Sequence, residues 1–166
     1  MEVATSVLIH APRAVVWKRI TDIEHAPQTI SGIEKVEILE RPASGLVGLK
    51  WKETRTMFGK TATEIMWITD AVEPEFYKTR AESHGAIYVA SLELAEKAGG
   101  TELTMRFSGE AVTTSARLMW ILMGWMFKSA TRKACGKDLS DIKAAVEGKQ
   151  AQSATRPTSS PLKESS

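Results

Sequence analysis

Residues 47–72 read VGLKWKETRTMFGKTATEIMWITDAV, two alternating runs placed back to back with Phe58-Gly59 between them. Two period-two runs separated by a short Gly-containing break are a hairpin signal. If Phe58-Gly59 is the loop, Met57 faces Lys60, Arg55 faces Ala62, Glu53 faces Glu64 and Trp51 faces Met66; a four-residue loop keeps the same pairing. Side chains alternate between the two faces of a strand. One face therefore carries Trp51, Glu53, Arg55 and Met57 beside Ala62, Glu64, Met66 and Ile68. The other carries Lys50, Lys52, Thr54 and Thr56, which suit solvent. The hairpin thus places two carboxylates and a guanidinium on its more apolar side.

The same period continues in both directions. Downstream, Glu73-Pro74 marks a turn before a strand at Phe76–Ser83. His84-Gly85 precedes Ile87–Glu96, and Ala98-Gly99-Gly100 precedes Thr101–Val112. Upstream, a strand containing Val36, Ile38 and Ile33 ends at Arg41-Pro42, and Ala43-Ser44-Gly45 leads into Val47–Phe58. The opening Glu2–His10 is rich in Val, Ile and Thr and predicts a further strand. Ala11-Pro12 stops it, and Pro12 suits the first turn of a helix at Arg13–Ile20. There Val15, Val16, Trp17 and Ile20 fall mostly toward one side. Asp22 caps a second short helix that Pro27 limits. After the last strand, Thr113-Thr114-Ser115 offers capping hydroxyls for a helix from about Ser115 to Glu147. Leu139, Ile142 and Val146 form its apolar stripe. The predicted order is one strand, two short helices, six strands and one long helix. An antiparallel meander of this kind must bury one face, and only the long helix is large enough to cover it. The expected class is α+β.

The chain has 166 residues, of which 43% are hydrophobic and 25% charged, which suits a single globular domain. From Gly148 onward, Lys149, Arg156 and Lys163 stand against Glu164 and account for the whole formal charge of +2. Residues 1–147 are formally neutral, which argues against a folded basic surface for nucleic acid. Residues 148–166 lack apolar side chains to bury and are expected to form a disordered polar tail. The one cysteine, Cys135, excludes an intramolecular disulfide and a multi-cysteine zinc site, and fits a reducing compartment. No spacing among His10, His25 and His84 suggests a metal, and no phosphate-binding glycine loop or nucleophile elbow is present. Neither a metal nor a cofactor is expected. The N-terminus, acidic at Glu2 and alternating thereafter, is unlike a signal peptide. The longest apolar run, Leu118–Phe127, is too short to span a bilayer. The expected location is the cytoplasm, with peripheral membrane contact as an alternative.

Several segments together resemble the START-like, or SRPBCC, superfamily, and within it the polyketide cyclase/dehydrase and lipid-transport group. They are Ile9-His10-Ala11-Pro12-Arg13-Ala14-Val15-Val16-Trp17 with Thr21-Asp22, and Glu53-Thr54-Arg55-Thr56-Met57-Phe58-Gly59-Lys60 with Ala62-Thr63-Glu64. Gly100-Thr101-Glu102-Leu103 and Lys137-Asp138-Leu139-Ser140-Asp141-Ile142-Lys143 also fit. The resemblance covers residues 1–147. It implies a helix-grip fold, a curved antiparallel sheet of about seven strands around a long C-terminal helix, with a deep and mainly apolar cavity between them. The superfamily includes carriers, receptors and cyclases, so the chemistry is left open.

On the more apolar face of the hairpin, Glu53, Arg55 and Glu64 admit three readings. They form an internal ion network, anchor a ligand's polar group, or supply a general acid whose pKa is raised by Glu53–Glu64 repulsion. Glu53, Glu64 and His84 are the acid–base candidates, although His84 also suits a simple loop position. The expected ligand-contacting set from the sheet is Trp51, Glu53, Arg55, Glu64 and Met66, with Arg80, Tyr88, Leu92, Met105 and Phe107. Phe76, Leu94 and Leu103 are read as core or cavity wall. From the helix come Trp120, Gly124 and Phe127. Counting back from Ile142 places Cys135 and Thr131 on the same inner side, where a buried thiol is usually inert packing. Leu118, Met119, Leu122 and Met126 then point outward, with Trp125 on the flank. That outer apolar face signals a bend at Gly124, a drift in the helical phase, a partner or homodimer contact, or shallow membrane docking. The expected function is binding of a small hydrophobic molecule or lipid, as a carrier or sensor. A cyclase or dehydratase using the same polar groups, and an interaction module using the outer helix face, are the alternatives.

Overall fold

The computed structural model describes the backbone of residues 2–57, 59–83 and 85–154 and, among these, the side chains outside 57, 114–125, 127 and 149–154. Strand β1 is Glu2–Ile9, helix α1 Arg13–Ile20, and a 3₁₀ helix covers Ile23–Gln28. Six strands follow: β2 Ile33–Glu40, β3 Lys50–Met57, β4 Lys60–Val72, β5 Phe76–Ser83, β6 Ala86–Lys97 and β7 Gly100–Ala111. Helix α2 runs over Thr114–Ala154. The strands form one antiparallel seven-stranded sheet in the order β1-β7-β6-β5-β4-β3-β2. This is the helix-grip architecture.

The expected order of elements is the observed one, and the differences have local causes. Strand β3 begins at Lys50 rather than Val47, because Gly48 takes φ +91° and the N–H of Leu49 turns back onto the Leu46 carbonyl at 3.0 Å. A side chain at position 48 would resist that backbone. In α1, Val16, Trp17 and Ile20 are buried, but Val15 is exposed. Helix α2 continues past the expected end at Glu147, so residues 148–154 are helical. Lys149, Gln150, Ala151 and Gln152 favour helix, and adding a residue to an existing helix is far easier than starting one.

The described half of α2 is held on the sheet by a short stretch with several functions. Cys135, Leu139, Ile142 and Val146 are buried along one stripe, as their spacing predicts. Between them, Asp141 accepts hydrogen bonds from the N–H and hydroxyl of Ser31 at 2.9 and 2.7 Å. Lys143 donates to the Leu8 carbonyl, and Glu147 accepts from the backbone N–H of His10 at 2.9 Å. Beside these contacts, Thr101 pairs with Ile9, is fully buried and donates to the Ala11 carbonyl at 2.8 Å. Its neighbour Gly100 passes so close to β1 that a Cβ there would collide with the Ile9 carbonyl oxygen. Among the described residues no helix is long and apolar enough to cross a membrane.

Gly100→Ala should therefore destabilise the fold by about 1–3 kcal/mol, as overpacking does. Gly148→Ala, in a helix with open space around it, should instead stabilise by up to about 1 kcal/mol. Urea titrations of the two variants check this, and similar effects of the same sign would contradict the packing assigned to Gly100.

Candidate functional site

The β3–β4 hairpin has the register its alternation predicts: Trp51 opposes Met66, Glu53 opposes Glu64, Arg55 opposes Ala62 and Met57 opposes Lys60. The first three of these pairs, together with Lys60, lie along one wall of a cavity of about 410 Å³ between the concave sheet and α2. Nine of the expected contact residues line it: Trp51, Glu53, Arg55, Glu64, Met66, Tyr88, Leu92, Met105 and Phe107. The rings of Tyr88 and Phe107 stack with centroids 5.8 Å apart. Ile20, Ile23, Ile30 and Ile33 close the cavity from α1, the 3₁₀ helix, the turn after it and the start of β2.

Arg80 is a correction. It lies on the opposite face of β5, beside Trp67 of β4 and paired with Glu82 at 2.8 Å. Phe76 shares that outer face, with the Lys78 ammonium 5.0 Å from its ring centroid. The inward residues of β5 are Tyr77, Thr79 and Ala81, opposite Ala71, Ile68 and Met66. A bulge between Ile68 and Asp70 shifts the alternation of β4 by one residue. Such an irregularity leaves no mark in hydrophobic periodicity. His84, Trp120, Gly124 and Phe127 lie outside the described side chains, as do Leu118, Met119, Leu122 and Trp125. Met126 is 44% exposed, on the side expected for it.

The polar groups of the cavity form an ordered cluster. The Arg55 Nε lies 2.9 Å from Glu53 Oε1, and its Nη2 donates to Asp138 Oδ2 at 2.9 Å. The Trp51 indole N–H donates to the other oxygen of Glu53 at 3.3 Å. Glu53 is only 7% exposed. Burial pushes its pKa above the ordinary value, against the opposing pull of Arg55, and repulsion from Glu64 is a lesser contributor. The carboxyl of Asp138 is raised for the same leading reason, again opposed by Arg55. Burial works against the Arg55 charge, but its two carboxylate neighbours outweigh that and hold it protonated. Burial likewise raises the Cys135 thiol, so it is not an activated nucleophile.

Asp138 and Tyr77 are the residues that sequence reasoning missed. Asp138 lies three residues after Cys135 and four before Ile142, so helical periodicity does put it on the inner stripe. A charged side chain is seldom buried without a partner, and the partner here, Arg55, is 83 residues away in the chain. Tyr77 donates from its hydroxyl to the Ile20 carbonyl at 3.2 Å and meets Trp17 edge-on, fixing α1 over the cavity. Among the described residues no group of His, Cys, Asp and Glu is arranged to hold a metal ion.

Removing the cation from this cluster has a pH-dependent consequence. Arg55→Ala leaves Glu53 and Asp138 buried without a counter-charge and should cost about 3 kcal/mol, the low end for breaking a buried pair. Their folded-state pKa values already exceed the unfolded ones, so each group favours folding below the unfolded value of about 4 and loses that contribution as pH rises through its folded value. Without Arg55 the loss deepens. Thermal melts of the variant and the parent should therefore diverge more at pH 8 than at pH 5, and a pH-independent difference would contradict the assignment.

A family model described as polyketide cyclase/dehydrase and lipid transport matches residues 1–147. No curated protein matches the chain. Solved structures with the same fold include TTHA0849 from Thermus thermophilus, at 14% identity and TM-score 0.76, with 90% of this chain and 99% of that one covered. The Zhui aromatase/cyclase from Streptomyces sp. R1128 shares 17% identity at TM-score 0.71, covering 93% and 98%. A START superfamily protein from Mycobacterium smegmatis shares 18% at TM-score 0.66, covering 91% and 97%. With its seven-stranded sheet gripping a C-terminal helix and a family match over nearly all of its described length, the chain belongs to the polyketide cyclase/dehydrase and lipid transport family.

Proposed function

We propose that this protein holds a small hydrophobic molecule in the cavity between its sheet and α2, as a carrier or sensor. The observation that carries the reading is the cavity itself. Its volume of about 410 Å³ falls in the range of small-molecule sites, and its walls are mainly Ile, Ala, Leu, Met and aromatic side chains. A ligand there gains affinity chiefly by leaving water, at roughly 25 cal/mol per Å² of apolar surface. The Glu53–Arg55–Asp138 cluster and Glu64 then act on orientation, since each polar group left unmatched by the ligand costs free energy.

A second reading has one specific support. Glu53 is a cavity carboxyl with a raised pKa, the property a general acid needs, and the Zhui aromatase/cyclase shares the fold. In that reading a polyketide-like ketone is cyclised or dehydrated by proton transfer from Glu53 or Glu64.

Native mass spectrometry of the purified protein, followed by organic extraction, separates these possibilities from an empty scaffold. A bound, extractable apolar molecule is expected, and Leu92→Trp, which fills the cavity, should weaken Nile red binding by about tenfold. Repeated recovery of empty protein that also fails to bind Nile red would overturn the carrier reading. For the enzyme, Glu53→Gln or Glu64→Gln should abolish turnover of a poly-β-ketone thioester mimic while binding persists. Undiminished turnover in both would remove these carboxyls from any mechanism.

A further inference from the structure

The charged groups of the cavity are unequally satisfied. Arg55 is ion-paired with Glu53 and Asp138, although its enclosed Nε, like that of Arg19, has no aligned hydrogen-bond partner. Glu64, which opposes Glu53 across the hairpin and faces the same cavity, has no hydrogen bond or ion pair to any described residue. The hydroxyl of Tyr88 likewise has none, and its phenol is held protonated first by burial and then by the nearby Glu64 charge. Glu53, Asp138, Glu64 and Arg55 together comprise three carboxyls and one cation. With Arg19, Lys60 and Asp22, which also line the cavity, its charged side chains are four carboxyls and three cations.

An ionised carboxylate only accepts hydrogen bonds, so a ligand group placed against Glu64 must donate to it to replace the water it displaces. A ligand hydroxyl or ammonium placed against it would form a charge-assisted hydrogen bond, the stronger kind. A ligand carboxylate or phosphate in that place would meet like charge, with Arg55 already paired to two other carboxyls. Two other cations touch the cavity. Arg19, at the end of α1, has an enclosed Nε without a hydrogen-bond partner. Lys60 sits at the hairpin tip and is exposed. Arg19 belongs to another element than the Glu64–Tyr88 wall, whereas Lys60 is on β4 four residues before Glu64 and lines the same cavity; they supply the competing outcome in the test below.

We propose that the ligand is an apolar molecule whose polar end carries hydrogen-bond donors, an alcohol, phenol or amine, directed at Glu64 and Tyr88, and that the cavity discriminates against molecules ending in a carboxylate or phosphate. This rests on the cavity-binding reading and adds to it the chemical class of the ligand. Tyr88 serves the same end from the neighbouring strand: its hydroxyl can accept from the ligand's polar group or donate to it, so a hydroxyl bound there meets a partner for both of its capacities.

Three probes with one chain length decide it: n-decanol, n-decylamine and n-decanoate, titrated calorimetrically at pH 7.5 below their micellar concentrations. Decanol and decylamine should each bind at least about tenfold more tightly than decanoate, the scale of a like-charge penalty at a partly desolvated site. Glu64→Gln, conservative at a partly exposed position, should shrink the decanol–decanoate gap several-fold. Decanoate binding as tightly as decanol would overturn the inference, and loss of that binding in Arg19→Gln would place the polar end at Arg19 instead. A gap unchanged in Glu64→Gln would overturn the role given to Glu64. If none of the three binds, the cavity-binding reading fails as well, so the two failures are distinguishable.

Discussion

A guanidinium taken out of water must find its counter-charges inside the protein, and Arg55 finds one on its own strand and one on the last helix. The link to Glu53 spans alternate positions of β3. The link to Asp138 crosses the cavity edge from sheet to helix. Either carboxylate alone would leave the site with one buried charge paired; both together leave it net negative, which is costly to bury. That excess is tolerated because both carboxyl pKa values rise and because the cavity keeps some polar space beside them. The helix cannot rotate on the sheet without breaking the Arg55–Asp138 bond, so the same bond sets the helix's angular position and the cavity's polarity.

The rest of the helix docking is arranged around that orientation. Within residues 137–143, Asp138 faces Arg55, Leu139 and Ile142 enter the core, Asp141 reaches Ser31 and Lys143 reaches Leu8. Helical spacing distributes these roles around one side of α2, so a short stretch contacts the sheet, the β1 strand and the loop before β2 at once. Thr101 and Gly100 do the corresponding work for β1 and β7. One satisfies a backbone carbonyl in the core, and the other permits the close approach of the strand that carries it.

The cavity is therefore a consequence of what the fold leaves unfilled. Curvature of the sheet keeps α2 from settling onto β3 to β6, and the apolar residues that would otherwise form a second core become walls. Polar groups survive there only where they are paired, as with Arg55, or where a ligand or water can supply the missing partner, as with Glu64. The site's electrostatics follow from this division more directly than from any catalytic motif.

Alternation along residues 47–72, turn residues at 73–74 and 98–100, and the Leu139–Ile142–Val146 stripe determined the α+β class, the order of elements, the hairpin register and the common face of Glu53, Arg55 and Glu64. These are local properties, set by periods of two and 3.6 that the chain carries in itself. Tertiary structure alone decided that Asp138 completes the ion cluster, that burial more than Glu64 repulsion raises Glu53, and that Tyr77 and Thr79 rather than Arg80 face inward. The first two depend on which charges meet across elements and on how much water reaches them. The third depends on a bulge in β4 that moves the phase of β5. None of these is a property of any short segment, because each arises only when separate segments share one interior.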